Sequence, residues 1–157
     1  MDRFKKILVP IDGKKGSYEC LRLACHIAKK NNSKIHLVHV VNMSVVKKAA
    51  ELSNRNSEEM IAQIRKQAEI YFKHFMEDIQ VESDHNYNFQ TKILQGRNVD
   101  EELINYGQNA GIDLIIISLS SKKHASDVIV GHITLRIVEF SQIPVLVLPI
   151  IKDLDWG

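Results

Sequence analysis

The sequence predicts an α/β protein, a single-domain three-layer α/β/α sandwich around a five-stranded parallel sheet. Three observations carry that expectation. Short apolar runs alternate with stripes of helical period from one end of the chain to the other, and such alternation builds βαβ units. No internal repeat, low-complexity tract or Pro/Gly linker interrupts it. The length, 157 residues with 45% hydrophobic and 25% charged, suits one domain that buries roughly 70% of its unfolded surface.

The first strand is expected over Lys5 to Ile11. The helix after it keeps Leu21, Ala24, Ile27 and Ala28 at the three-and-four spacing of one buried face. A second strand runs from Ile35 to Val41, and residues 42–56 read as a less regular stretch. The longest helix carries the stripe Ile61, Ile64, Ala68, Phe72, Phe75 and Ile79. A third strand, Asn88 to Leu94, alternates polar and apolar residues. After Gly96, Asn98 with Glu101 three residues on reads as a capping box opening a helix through Ala110. Asp113 to Ser118 is the fourth strand. A loop then leads to a helix with Ile129, Ile133, Ile137 and Phe140 on one side, and Pro144 to Leu148 is the fifth strand.

Strands covered on both faces read as continuous apolar runs, whereas edge strands tend to alternate. Strands one and four therefore belong near the centre and strand three at an edge. In a doubly wound sheet ligands bind in the crevice outside the carboxyl ends of the strands, where the strand order reverses. The loops after strands one and four, the latter running from Ser118 to His132, are the expected site.

No uninterrupted apolar run exceeds four residues, as in Leu114 to Ile117, so no membrane span is expected. The N-terminal stretch reaches Pro10 and Asp12 without the long apolar segment of a signal peptide, and a cytoplasmic location is the expectation. Cys20 and Cys25 lie about 140° apart around a helix and read as small core residues in a reducing compartment. Net charge is +2, although residues 1–50 hold 11 Lys/Arg against 3 Asp/Glu. No nucleic-acid recognition pattern accompanies that basic third, so solvated lysines are the reading and no nucleic-acid partner is expected.

Chemistry that needs fixed offsets from a strand end mostly fails here. Strand one runs into Pro10-Ile11-Asp12-Gly13-Lys14, not the glycine fingerprint of dinucleotide sites, and there is no Walker A loop. A phospho-acceptor receiver would end strand three in Asp and strand five in Lys, whereas this chain has Leu94-Gln95 and Pro149. No G-x-S-x-G elbow occurs, and neither cysteine sits where a thiolate is favoured. His36 and His39, three apart on a strand, point to opposite faces, so no metal site is expected. No catalytic residue is assigned.

The residues Ile7-Leu8-Val9-Pro10-Ile11-Asp12-Gly13, His39-Val40, Gly96, Asp113-Leu114-Ile115-Ile116, Gly131 and Pro144-Val145-Leu146-Val147 together resemble the universal stress protein family over nearly the whole chain. The resemblance implies an adenine nucleotide α-hydrolase-like, Rossmann-like sheet of order 3-2-1-4-5, with residues 1–150 as the domain and 151–157 as a short tail. It also implies a dimer through the last strand and, in one branch, ATP bound across the two crevice loops. That branch carries G-x2-G-x9-G followed by Ser or Thr, because glycines let backbone N–H groups approach phosphates. The aligned positions here are Ser118, Ser121, Gly131 and His132. Two glycines are lost and the hydroxyl position is an imidazole.

By the same resemblance Pro10, Asp12 and Val40 stand on the nucleoside side of the site, and Gly96 lies in a loop near the same pocket. Asp12 equally suits capping the first helix or bonding its own loop, and Val40 would be apolar in any strand. Lys14, Lys15, Lys122 and Lys123 place paired positive charges at the mouth of both crevice loops and would attract an anion. Val145, Leu146, Val147 and Leu148 form an apolar final strand whose exposed edge invites aggregation unless covered. Trp156 in the tail also suits packing there.

The leading expectation is a non-enzymatic, cytoplasmic homodimer acting in stress response through an unidentified protein partner, with weak or no nucleotide binding. The alternative is an ATP- or AMP-binding sensor that uses the crevice, with Mg²⁺ as a companion ion.

Overall fold

A computed structural model describes residues 3–120 and 130–150. The elements run β1 (Lys6–Pro10), α1 (Lys15–Asn31), β2 (Lys34–Asn42), α2 (Met43–Ser53), α3 (Ser57–Glu82), β3 (Asn88–Gly96), α4 (Val99–Ala110), β4 (Leu114–Ser120), α5 (Val130–Phe140) and β5 (Val145–Ile150). The five strands form one parallel sheet in the order β3-β2-β1-β4-β5. β3 and β5 are its edges, as the sequence predicts.

Period-two alternation on the central strands sorts their side chains into two cores. Ile7 and Val9 of β1, with Ile35 and Leu37 of β2, pack against Leu21, Ala24 and Cys25 of α1 and Phe72 and Ile79 of α3. Leu8 of β1 and Val38 of β2 face the other way, onto Leu103 of α4 and Ile137 of α5. Each such side chain contributes about 1.5–3 kcal/mol by leaving water. The reversal of direction between β1–β2 and β1–β4 leaves a gap at the carboxyl ends of β1 and β4.

The stretch 42–56, expected to be irregular, is largely helical. Asn42, the last residue of β2, caps α2 by accepting from the Ser44 and Val45 N–H groups at 3.1 and 3.2 Å. One turn apart, Val46 and Ala50 give α2 its buried face, while Val45 and Leu52 remain 61% and 80% exposed. Those two exposed apolar residues blur the period, which is why the stretch does not read as a helix. α2 ends at Asn54 in the left-handed region, φ 53°, which Asn tolerates better than most residues.

Asn98 is at the start of α4, yet its side chain makes no capping bond, so the expected capping box is not formed. The acidic first turn of Asp100, Glu101 and Glu102 instead offers negative charge to the positive helix end. Gly111 closes α4 at φ 70°. On α5, Ile137 is fully buried, whereas Phe140 is 53% exposed and receives the Arg136 guanidinium over its ring at 4.9 Å. Ile129 and Trp156 lie outside the described residues. Cys20 and Cys25 are buried free thiols, and burial first of all pushes both up to about 12, so they are unreactive in the folded protein.

Candidate functional site

A cavity of about 440 Å³ opens at the carboxyl ends of β1, β2 and β4, within the usual size range of small-molecule sites. Val38 and Val40 of β2, Val99 and Leu103 of α4, Ile117 of β4 and Ile133 of α5 give it apolar walls. Polar groups converge from Asp12, Lys14 and Ser17 on one side, His39 on β2, and Ser118 and Thr134 on the other.

The β1–α1 loop is held by its own hydrogen bonds. The Lys14 N–H donates to Asp12 Oδ1 at 2.9 Å, and the Ser17 hydroxyl donates to the Lys14 carbonyl at 2.9 Å. The Asp12 N–H in turn reaches Ser17 Oγ at 3.4 Å. Beneath them the Ile11 N–H donates to the Val38 carbonyl at 2.8 Å, extending the β1–β2 ladder by a residue. His39 Nδ1 lies 2.6 Å from the Ile11 carbonyl, a bond it makes by carrying its proton on Nδ1. Gly13 takes φ 79°, and a side chain there would meet the Tyr71 ring of α3, so this turn requires glycine.

On the opposite side the Thr134 hydroxyl donates to the Ser118 carbonyl at 3.0 Å. Gly131 is buried in the first turn of α5, and a Cβ there would touch Leu119 at 3.4 Å. Among the cavity-lining residues described, Asp12 is the single carboxylate and Lys14 the single ammonium.

Pro10, Asp12, Val40, Ser118 and Lys14 all line this cavity. Lys15 is exposed on the first turn of α1 and does not line the cavity. Gly96 is not in a loop: it is the last residue of β3, paired with Asn42, and it lies off the cavity with the Glu102 side chain packed where a Cβ would stand. His132 is exposed and absent from the cavity wall, because a helix turns about 100° per residue and carries positions 131, 134 and 137 inward instead. Ser121, Lys122 and Lys123 lie outside the described residues.

Thr134, Ser17 and His39 are the polar lining residues the sequence reading did not assign to the site. The signal for Thr134 was the three-residue spacing Gly131, Thr134, Ile137, which marks one helix face. Among the described residues no helix is long and apolar enough to cross a membrane.

A doubly wound parallel sheet with a cavity at its switch point defines the Rossmann-like class of α/β domains. Within that class the chain belongs to the universal stress protein family, whose family model matches residues 3–149. Universal stress protein MJ0577 of Methanocaldococcus jannaschii is 25% identical over 153 residues, covering 92% of this chain and 94% of the relative. Its solved structure superposes with a TM-score of 0.73 over 96% of this chain and 99% of that one, at 19% identity. A universal stress protein solved in complex with cAMP gives a TM-score of 0.62 at 14% identity, covering 94% of this chain and 98% of that one. One from Archaeoglobus fulgidus in complex with dAMP gives 0.61 at 12% identity with the same coverage.

Proposed function

We propose that the protein is a non-enzymatic universal stress protein that binds an adenine nucleotide in the crevice and acts as a cytoplasmic homodimer through a protein partner. The observation that carries the reading is the cavity itself, apolar in its walls and polar at its rim, at the switch point of the sheet. A purine lies against Val38, Val40 and Ile117. The second Asp12 oxygen, left free by the Lys14 bond, accepts from a nucleoside donor, and the Lys14 ammonium faces the phosphate. The cAMP- and dAMP-bound structures of related fold support the choice of adenine nucleotide.

Two features favour this over weak or absent binding. Thr134 supplies a hydroxyl on α5 where His132 offers none, and Ser118, which replaces a glycine of the ATP-binding pattern, adds a hydroxyl donor to the lining. The non-enzymatic part carries forward the sequence expectation, in which no catalytic residue is assigned.

Calorimetric titration with AMP, cAMP and ATP, each with and without Mg²⁺, tests it. Saturable binding at micromolar concentration is expected, with no phosphate released over hours. Absence of heat for all three nucleotides overturns the binding claim, and steady nucleotide-dependent phosphate release overturns the non-enzymatic one.

A further inference from the structure

We propose that the groove between α2, the start of α3 and the β3–α4 turn is a second binding site, for a small phosphate monoester bearing an apolar group. The groove is open to solvent and spans about 760 Å³, room for a small organic molecule. Its floor is apolar, formed by half-buried Met43 and by Val46, which is 3% exposed. Lys47 and Lys48 from α2 and Arg97 from the turn also line it.

Against these three cations stands one carboxylate, Glu51, so the lining carries a formal charge of +2. A phosphate monoester carries about −1.5 to −2 at neutral pH and complements it. The described ion pairs use Arg22 and Arg136 and leave Lys47, Lys48 and Arg97 unengaged. The Arg97 guanidinium offers the planar two-pronged donor that matches a phosphate face. Ser44 donates to the Arg97 carbonyl at 3.3 Å, so the Arg97 backbone is fastened to the capped first turn of α2. Ser57, the first residue of α3, adds a hydroxyl to the same lining. An apolar substituent on the phosphate then has Met43 and Val46 to rest on.

The site is separate from the crevice: it is served by Lys47, Lys48 and Arg97, whereas Lys14 serves the crevice. The test is an amide-resolved NMR titration of the full chain with phenyl phosphate and with inorganic phosphate. The proteins are the parent, Lys14→Gln, and the double variant Lys47→Gln with Arg97→Gln, each checked for an unchanged melting temperature. Phenyl phosphate is expected to shift the amides of residues 43–48 and 97 saturably in the parent and in Lys14→Gln. The double variant is expected to bind at least about tenfold more weakly, and inorganic phosphate more weakly than phenyl phosphate. The pair Lys47→Gln with Lys48→Gln replaces the double variant if the latter melts early. No saturable shift at these amides, equal affinity in parent and double variant, or shifts confined to the crevice overturns the proposal. Equal affinity for the two phosphates overturns its apolar part. A failure of AMP to bind the crevice leaves these expectations unchanged, so the two readings stand or fall separately.

Discussion

The Thr134 hydroxyl donates to the Ser118 main-chain carbonyl across 3.0 Å, tying α5 to the end of β4 and closing one wall of the crevice. A hydroxyl spends its one proton in such a bond and keeps acceptor lone pairs, so the same oxygen remains open to a ligand donor. Thr134→Val keeps the shape and removes both roles. It is expected to lower unfolding stability by about 1–2 kcal/mol, the cost of leaving the carbonyl unpaired, and to weaken adenine-nucleotide binding. Denaturant unfolding and calorimetry check the two effects. Unchanged stability would show that the bond contributes nothing in solution.

Asp12 separates loop architecture from ligand binding. In Asp12→Asn the side-chain oxygen still accepts from Lys14 N–H, so the melting temperature is expected to stay near that of the parent. The charge is gone, and charge-assisted bonds are stronger than neutral ones by about 1 kcal/mol. Nucleotide affinity is therefore expected to fall by roughly fivefold to tenfold. Asp12→Ala is expected to lose both. An Asn variant that binds as well as the parent would remove Asp12 from the ligand contacts.

His36 makes stability depend on pH. Its Nδ1 is 2.8 Å from the Tyr106 hydroxyl, while Nε2 is buried without a hydrogen-bond partner. Burial first, then the charges of Lys34 and Lys6, push its pKa below the ordinary 6.5. The unfolded chain therefore takes up a proton near pH 6.5 that the folded protein refuses. The stabilisation of the neutral ring is complete above that pH and declines as the pH falls below it. Denaturant unfolding at about pH 7.5 and about pH 5.5 is expected to show a smaller acid loss in His36→Phe than in the parent. Equal losses in both would show that His36 titrates normally.

The β5 edge carries the dimer expectation. Leu146 is 39% exposed, while Val145 and Val147 pack on the α4–α5 core. Leu146→Lys thus disturbs the outer surface with little harm to the fold. Sedimentation at micromolar concentration is expected to give a dimer for the parent and a monomer for the variant. A monomeric parent would refute pairing through this strand.

Much of the fold was legible because central strands and edge strands differ in pattern. Leu114 to Ile117 is continuous and apolar because helices cover both of its faces, and Gln90 and Lys92 interrupt β3 because it is an edge. α2 escaped because its exposed Val45 and Leu52 mask the stripe of Val46 and Ala50, although Asn42 was a cap in plain sight. In the site, Pro10, Asp12 and Val40 were placed by the family resemblance, and Lys14 and Ser118 by the loops after strands one and four as well. Thr134 was missed because the motif spacing stops at His132, although its three-residue spacing from Gly131 and Ile137 puts it on the inward helix face. Gly96 was misplaced for a similar reason: the ladder of β3 runs on to include it.

The central claim is that the crevice at the ends of β1 and β4 holds an adenine nucleotide. Amide-resolved NMR titration with AMP tests it most directly. The account predicts saturable shifts clustered at residues 11–17, 38–40, 118 and 131–134, with those at Lys14 reduced when adenosine replaces AMP. Saturable AMP binding whose shifts fall elsewhere, or no shift in these segments at millimolar AMP, would contradict it.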